Sequence, residues 1–134
     1  MAIVLDTDVI IRDERRAFDL KGWAASQSGE QFAVASITVA ELWHGVERAT
    51  HAFKAERETY IHRILSSVRT LPYTMVTARE HARLWAELES SGKMIGYYDL
   101  IVAATALEHD SPVATFNQRH FSQVPGLKVI VPTL

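Results

Sequence analysis

Short, continuously apolar runs alternate along this chain with longer stretches of helical period, and the two patterns predict buried strands separated by half-buried helices. Ala2 to Leu5 is wholly apolar, contains two β-branched residues and breaks abruptly into acidic and polar positions, as a strand covered on both faces does. A mixed stretch from about 9 to 27 follows, with Ala17, Leu20, Ala24 and the neighbouring Trp23 at helical spacing, and Ser28-Gly29 stops it. Gln31 to Ser36, carrying Phe32 and Val34, reads as a second strand, and Thr38 opens a helix bearing Val39, Leu42, Trp43 and Val46. From about 53 to 68 the residues Ile61, Ile64, Leu65 and Val68 fall at i, i+3, i+4 and i+7, an amphipathic helix with a charged outer face. Leu71 to Val76, interrupted by Pro72, reads as a short strand or extended connection.

The next helix, Thr77 to Ser90, presents Ala78, Ala82, Trp85 and Leu88 on one side and ends at Ser91-Gly92. Asp99 to His109 differs in kind, because Leu100 to Leu107 holds only one polar residue, Thr105, so this helix is buried on most sides. Pro112 to Phe116 and Leu127 to Val131 supply a fourth and a fifth strand, with a turn at Pro125-Gly126. Strands alternating with helices imply βαβ units, hence an α/β fold with a mostly parallel sheet and right-handed crossovers. At 134 residues, without repeats or linkers, a single domain over 1–134 is expected.

Composition narrows the chemistry. Apolar residues make up 48% of the chain, but no run approaches the roughly 18 to 20 needed to cross a bilayer. The start, MAIVLDTD, lacks a basic segment and meets an acid already at position 6, so a soluble, cytoplasmic protein is expected. With no cysteine and six histidines, disulfides and thiolate sites are excluded, and any metal must be held by oxygen or imidazole. The net charge of −2 weighs against a non-specific nucleic-acid binder, yet leaves a nuclease open because a bound cation reverses the local sign.

In open parallel sheets, ligand sites form beyond the carboxyl ends of the strands. Asp6 follows the first strand there and Asn117 the fourth. Each candidate acid has a purely structural alternative. Asp6 suits an Asx turn or helix cap, a role open equally to Asp8. Glu41 closes Thr38-Val39-Ala40-Glu41, a capping-box pattern. Asp99 suits the N-cap of the apolar helix, although an anion at a buried helix entrance needs a partner, a metal or a proton. Together Asp6, Glu41 and Asp99 offer the hard oxygen ligands that Mg²⁺ or Mn²⁺ prefers. The histidines form no HExxH pair and read as solvated or helix-end residues, while Trp43 and Trp85 read as core. Arg12, Arg15, Arg16 and Arg119 suit phosphate contacts or a solvated face.

Four segments taken in order, LDTDVII (5–11), SITVAELWHG (36–45), IGYYDLIVAATALEHD (95–110) and VATFNQRHF (113–121), resemble the successive motifs of PIN-domain ribonucleases, particularly VapC-like toxins of toxin–antitoxin pairs. The resemblance spans nearly the whole chain. It implies a three-layer α/β/α sandwich, Mg²⁺-dependent RNA cleavage with Asp6, Glu41 and Asp99 as the acidic metal-site residues, a homodimer, and inhibition by a cognate antitoxin. Two positions depart from the common pattern. Asp8 stands where many relatives have Asn, and Asn117 occupies the fourth acidic position of many PIN domains, offering a carbonyl without charge.

Two readings of other classes compete. Asp6-Thr7-Asp8-Val9 after an apolar strand also resembles the first motif of haloacid-dehalogenase-like phosphatases, with Asp6 as nucleophile and Asp8 as acid/base. That reading leaves Glu41 without a role, lacks a second acid beside Asp99 and finds no room for a cap. A non-catalytic interaction module, its acids receiving a partner's arginine, is the other.

Overall fold

The computed structural model describes residues 2–133. Five strands form one sheet: β1 (Ala2–Leu5), β2 (Gln31–Ala35), β3 (Arg69–Leu71), β4 (Val113–Ala114) and β5 (Val129–Ile130). Their order is β3-β2-β1-β4-β5, and every neighbouring pair is parallel. Seven helices connect them: α1 (Thr7–Glu14), α2 (Leu20–Ser26), α3 (Ser36–Arg48), α4 (His51–Ser67), α5 (Met75–Ser90), α6 (Tyr97–Glu108) and α7 (Gln118–Phe121).

Successive strand side chains point to opposite faces, and this splits the core in two. Val4, Ala33, Ala35 and Val113 face α5 and α6, where Leu84, Leu88, Leu100 and Val102 are buried with Phe121 of α7. Ile3, Leu5, Val34 and Ala114 face the other way, onto Val9, Ile10, Trp23, Leu42, Val46 and Ile61 of α1 to α4. The result is the expected three-layer α/β/α sandwich. Each fully buried aliphatic side chain contributes about 1.5–3 kcal/mol, so the two apolar layers are what hold the sheet ends in place. No helix among the described residues is long and apolar enough to cross a membrane.

Several expected boundaries move. The third strand ends where Pro72 removes a donor, at Leu71, and Met75 and Val76 already belong to α5 behind a Thr74/Thr77 capping box. The mixed segment from 9 to 27 is two helices, parted by a turn in which Arg16 sits at φ 60°. A short helix, α7, lies between β4 and β5 in addition to the turn at Gly126 (φ 79°).

One aromatic expectation is corrected. Trp85 is not core but 39% exposed, because α5 buries Thr77, Leu84 and Leu88 instead of the Ala78/Ala82/Trp85 stripe. Thr77 tolerates that position by donating to Glu108 Oε1. Trp23, at helical spacing with Leu20, is buried, with Phe18 tilted against it at 6.3 Å between ring centres, while Phe53 on α4 is 59% exposed.

Candidate active site

The sheet order reverses between β1 and β4. Chain running through β1, β2 and β3 builds outward on one side, and β4 and β5 build on the other, so the connections after β1 and β4 diverge and leave a crevice. Asp6 stands directly after β1 and Thr115 directly after β4, with Asp6 N donating to Ala114 O at 2.9 Å to tie the two ends together.

Asp6 is the helix cap its position after the strand suited, and its second oxygen reaches across to the end of β4. It is the N-cap of α1, with Oδ1 accepting from Thr7 N at 2.8 Å, while Oδ2 accepts from Thr115 Oγ1 at 2.7 Å. Only 5% of the residue is exposed. Removal from water, reinforced by the charges of Asp8 and then Asp99, pushes its carboxyl up to about 7 despite both hydrogen bonds.

Glu41 is not a capping-box residue. Helix α3 starts three residues earlier than the capping-box pattern implied, at Ser36, with Ala35 as N-cap and no side-chain cap, so Glu41 lies in the second turn. Thr38 is buried inside the helix, its hydroxyl 3.1 Å from that of Thr7. Thr7 Oγ1 donates to Glu41 Oε1 at 2.7 Å, fixing the half-buried carboxylate at the end of β1. Burial raises Glu41 above the usual carboxylate range, and Asp99 adds to the rise.

Asp99 is likewise not the N-cap. Gly96 holds that place and Asp99 sits in the first turn of α6, at its positive end. Its Oδ2 accepts from Asn117 Nδ2 at 3.4 Å and lies 3.1 Å from His120 Nδ1, and the amide and imidazole nitrogens are themselves 2.9 Å apart. Asn117 N donates to Thr115 Oγ1 at 2.9 Å. One hydrogen-bonded network thus runs from Glu41 through Thr7, Asp6, Thr115 and Asn117 to Asp99 and His120. All four residues singled out in the sequence stand in it.

Thr7, Thr115 and His120 are the members that sequence reasoning missed. The two threonines carry no local signature, since their partners lie 34 and 109 residues away. His120 reads in the sequence as one more solvated histidine, yet it meets Asp99 across 21 residues. Asp8 serves the scaffold, with its Oδ2 accepting from Phe116 N at 3.1 Å and so pinning the loop after β4 to α1. Burial raises Asp8 as well, while the Phe116 amide and the Arg12 charge pull it back. Arg12 lies over the Phe116 ring, 4.2 Å from its centre.

Among the described residues no three Asp, Glu or His side chains already close around one point as a metal cage does. The donor set nevertheless fits a hard divalent cation. Asp6 and Glu41 are raised carboxylates, each unsettled by the charge on Asp99, and oxygen ligands under mutual repulsion are what Mg²⁺ or Mn²⁺ relieves. Beside them opens a cavity of about 450 Å³ lined by Thr7, Glu41 and Tyr98 together with Arg15, Arg48 and Arg57.

Comparison with known proteins agrees with this architecture. Residues 3–127 match the PIN domain family. Ribonuclease VapC of Rickettsia bellii is 30% identical over 135 residues, an alignment taking in 100% of this chain and 98% of that protein. Among solved structures, VapBC2 from Rickettsia felis bound to a DNA fragment from their promoter superposes with a TM-score of 0.87 at 24% identity, covering 96% of this chain and 97% of that one. VapBC-5 from Mycobacterium tuberculosis, a member of the VapBC family of toxin-antitoxin systems, gives 0.73 at 30% identity over 96% of this chain and 97% of that one. The chain belongs to the PIN-domain family and, within it, to the VapC ribonucleases.

Proposed function

We propose that the protein is a Mg²⁺-dependent endoribonuclease, with Mn²⁺ as an alternative ion, and the toxin of a toxin–antitoxin pair. The observation that carries this is the single network that binds Asp6, Glu41, Asp99 and Asn117 at the switch point of the sheet. Asp6, Asp99 and Glu41 hold the cation, and Asn117 keeps its amide oxygen available while its Nδ2 restrains Asp99. When bound, the cation supplies charge against the phosphodiester and acidifies a water. Thr7 holds one oxygen of Glu41, so the other would be free to face the cation or a water beside it. Thr115 orients Asp6 from the opposite strand.

The substrate is RNA, a reading supported by the similarity to the ribonuclease VapC of Rickettsia bellii. The partner is a cognate antitoxin, supported by the toxin-antitoxin character of VapBC-5. A second copy of the chain covers the exposed apolar residues Tyr73, Met75, Val76, Trp85 and Tyr97 on and beside α5. The phosphatase reading loses its acid/base, because Asp8 is occupied by the Phe116 amide.

The test is cleavage of total RNA by purified, partner-free protein with Mg²⁺ or Mn²⁺, beside EDTA and Asp99→Asn. Loss of a carboxylate that holds the cation removes about 3 kcal/mol or more of transition-state stabilisation, so Asp99→Asn falls at least ~100-fold and EDTA abolishes cleavage. A folded protein that cuts no transfer, ribosomal or messenger RNA in either metal would sink the proposal in favour of an interaction module.

A further inference from the structure

Of the site's acids Glu41 lines the 450 Å³ cavity, and the arginines that share its lining have no part in the network described above. Arg15, Arg48, Arg57 and Glu14 also line a second, larger hollow of about 1030 Å³, so the two are continuous and these residues mark the junction. The groove therefore starts at Thr7 and Glu41, passes between the ends of α1 and α3, and continues along α4 toward Phe53.

Of the acidic residues on its lining, Asp13 is engaged within the protein, Glu14 Oε2 is buried without a hydrogen-bond partner, and Glu56 makes no side-chain hydrogen bond or ion pair among the described residues. Asp13 accepts from Tyr60 Oη at 2.6 Å and from Leu20 N at 2.9 Å, and Glu14 Oε2 faces Arg57 Nε at 4.0 Å. Arg57 in turn donates to Gly45 O at 3.3 Å. Among the described residues, Arg15 and Arg48 make neither an ion pair nor a side-chain hydrogen bond. The groove thus presents guanidinium groups with no anion of their own beside a site whose own charges are negative. Tyr98, 55% exposed and adjacent in sequence to Asp99, stands on the wall at the catalytic end.

We infer that this groove is the path of the single-stranded RNA segment flanking the scissile phosphodiester, with backbone phosphates on Arg15 and Arg48 and the base nearest the cut stacked on Tyr98. Guanidinium forks match phosphate oxygens, and an aromatic ring accepts any base face. The path rests on the ribonuclease reading, which it deepens by separating two jobs: the acids perform the chemistry, and the groove supplies the affinity that a chain of net charge −2 otherwise lacks.

The experiment has a binding arm and a turnover arm. In the Asp99→Asn background with Mg²⁺, anisotropy of a short fluorescein-labelled oligoribonucleotide of mixed sequence is followed through a salt series. Single-strand binding loses a log–log salt slope of about 0.7 per phosphate contact, so Arg15→Ala with Arg48→Ala flattens the slope by about 1.4. Tyr98→Leu weakens binding roughly tenfold and Tyr98→Phe restores it. Arg83→Ala, which removes a guanidinium held by Glu80 and Glu87 on α5, changes neither. With the site intact, the arginine pair raises KM while kcat is kept.

An unchanged salt slope in the arginine pair overturns the path, and does so without touching the ribonuclease reading if the wild type still cleaves. A flattened slope in a protein that cuts no RNA keeps the groove as a nucleic-acid site and removes the nuclease. An arginine pair that binds the oligonucleotide normally but escapes inhibition by a co-expressed protein partner assigns the groove to that partner and overturns the RNA path.

Discussion

Asp6→Asn should stabilise the metal-free protein while destroying its activity, and the gain should depend on pH in a defined way. Asp6 shifts from its ordinary 3.8 to about 7 on folding, chiefly because it leaves water. Below both values the carboxyl is protonated in the folded and unfolded chain alike and costs nothing. Between them the unfolded chain has released its proton and the folded one has not, so stability falls by about 1.36 kcal/mol per pH unit. Above the folded value the fall is complete, at about 4 kcal/mol. Asparagine is neutral throughout, accepts from Thr7 N as the aspartate does, and places its amide toward Thr115 Oγ1, which has a lone pair to spare. Urea unfolding in EDTA from pH 5 to 8 should therefore show the variant gaining on the wild type by roughly 3 kcal/mol across the interval. Added Mg²⁺ should stabilise the wild type at pH 8 and leave the variant unmoved, because only the native carboxylate couples binding to folding. Parallel stability curves for the two proteins would refute the reasoning, as would an Mg²⁺ response that survives the substitution.

Thr115→Val, nearly isosteric and fully buried, strands both an Asp6 oxygen and the Asn117 amide, and should cost about 1–3 kcal/mol in urea while raising Asp6 further. Asp8→Ala should reduce RNA cleavage only in part, through the loosened loop after β4, whereas Glu41→Gln should abolish it; the opposite ranking, with phosphatase activity lost in Asp8→Ala, would restore the phosphatase reading. Met75→Asp should convert the proposed homodimer to monomer in sedimentation velocity without lowering thermal stability of the monomer by more than about 0.5 kcal/mol, since that side chain is 81% exposed.

The parts of the fold that are legible in the sequence are those in which local pattern and burial coincide. The AIVL run and the apolar stretch after Asp99 are buried on nearly all sides, and no rotation of the element changes that. Helix α5 reads with the wrong face because its core side includes a threonine, and Thr77 is acceptable there through Glu108, 31 residues away, and its capping-box bond with Thr74. Two caps fail for a related reason. T-x-x-E and Asp99 are both plausible cap signals, but the preceding residues Ser36-Ile37 and Tyr97-Tyr98 accept helical geometry, so each N-cap moves back three residues, to Ala35 and Gly96, and the acid turns inward. The acids are legible by charge and order; the hydroxyls and the imidazole that hold them are not, because Thr7, Thr115 and His120 acquire their meaning only when β1, β4, α3, α6 and α7 meet.

The choice of holders has its own logic. Asp6 and Glu41 are fixed mainly by threonine hydroxyls and backbone amides, neutral donors that orient a carboxylate without cancelling its charge. Neighbouring guanidinium groups are directed elsewhere, Arg12 over Phe116 and Arg57 toward Gly45 and Glu14. An arginine at position 115 would pair with Asp6 and remove most of the cost that pushes its carboxyl to about 7, but it would also neutralise the charge that a divalent cation needs. In the proposed metal reading, the stability forgone at Asp6 is what keeps a charge available to the cation. For that reason, variants that relieve the repulsion should gain stability in the metal-free protein as they lose cation binding.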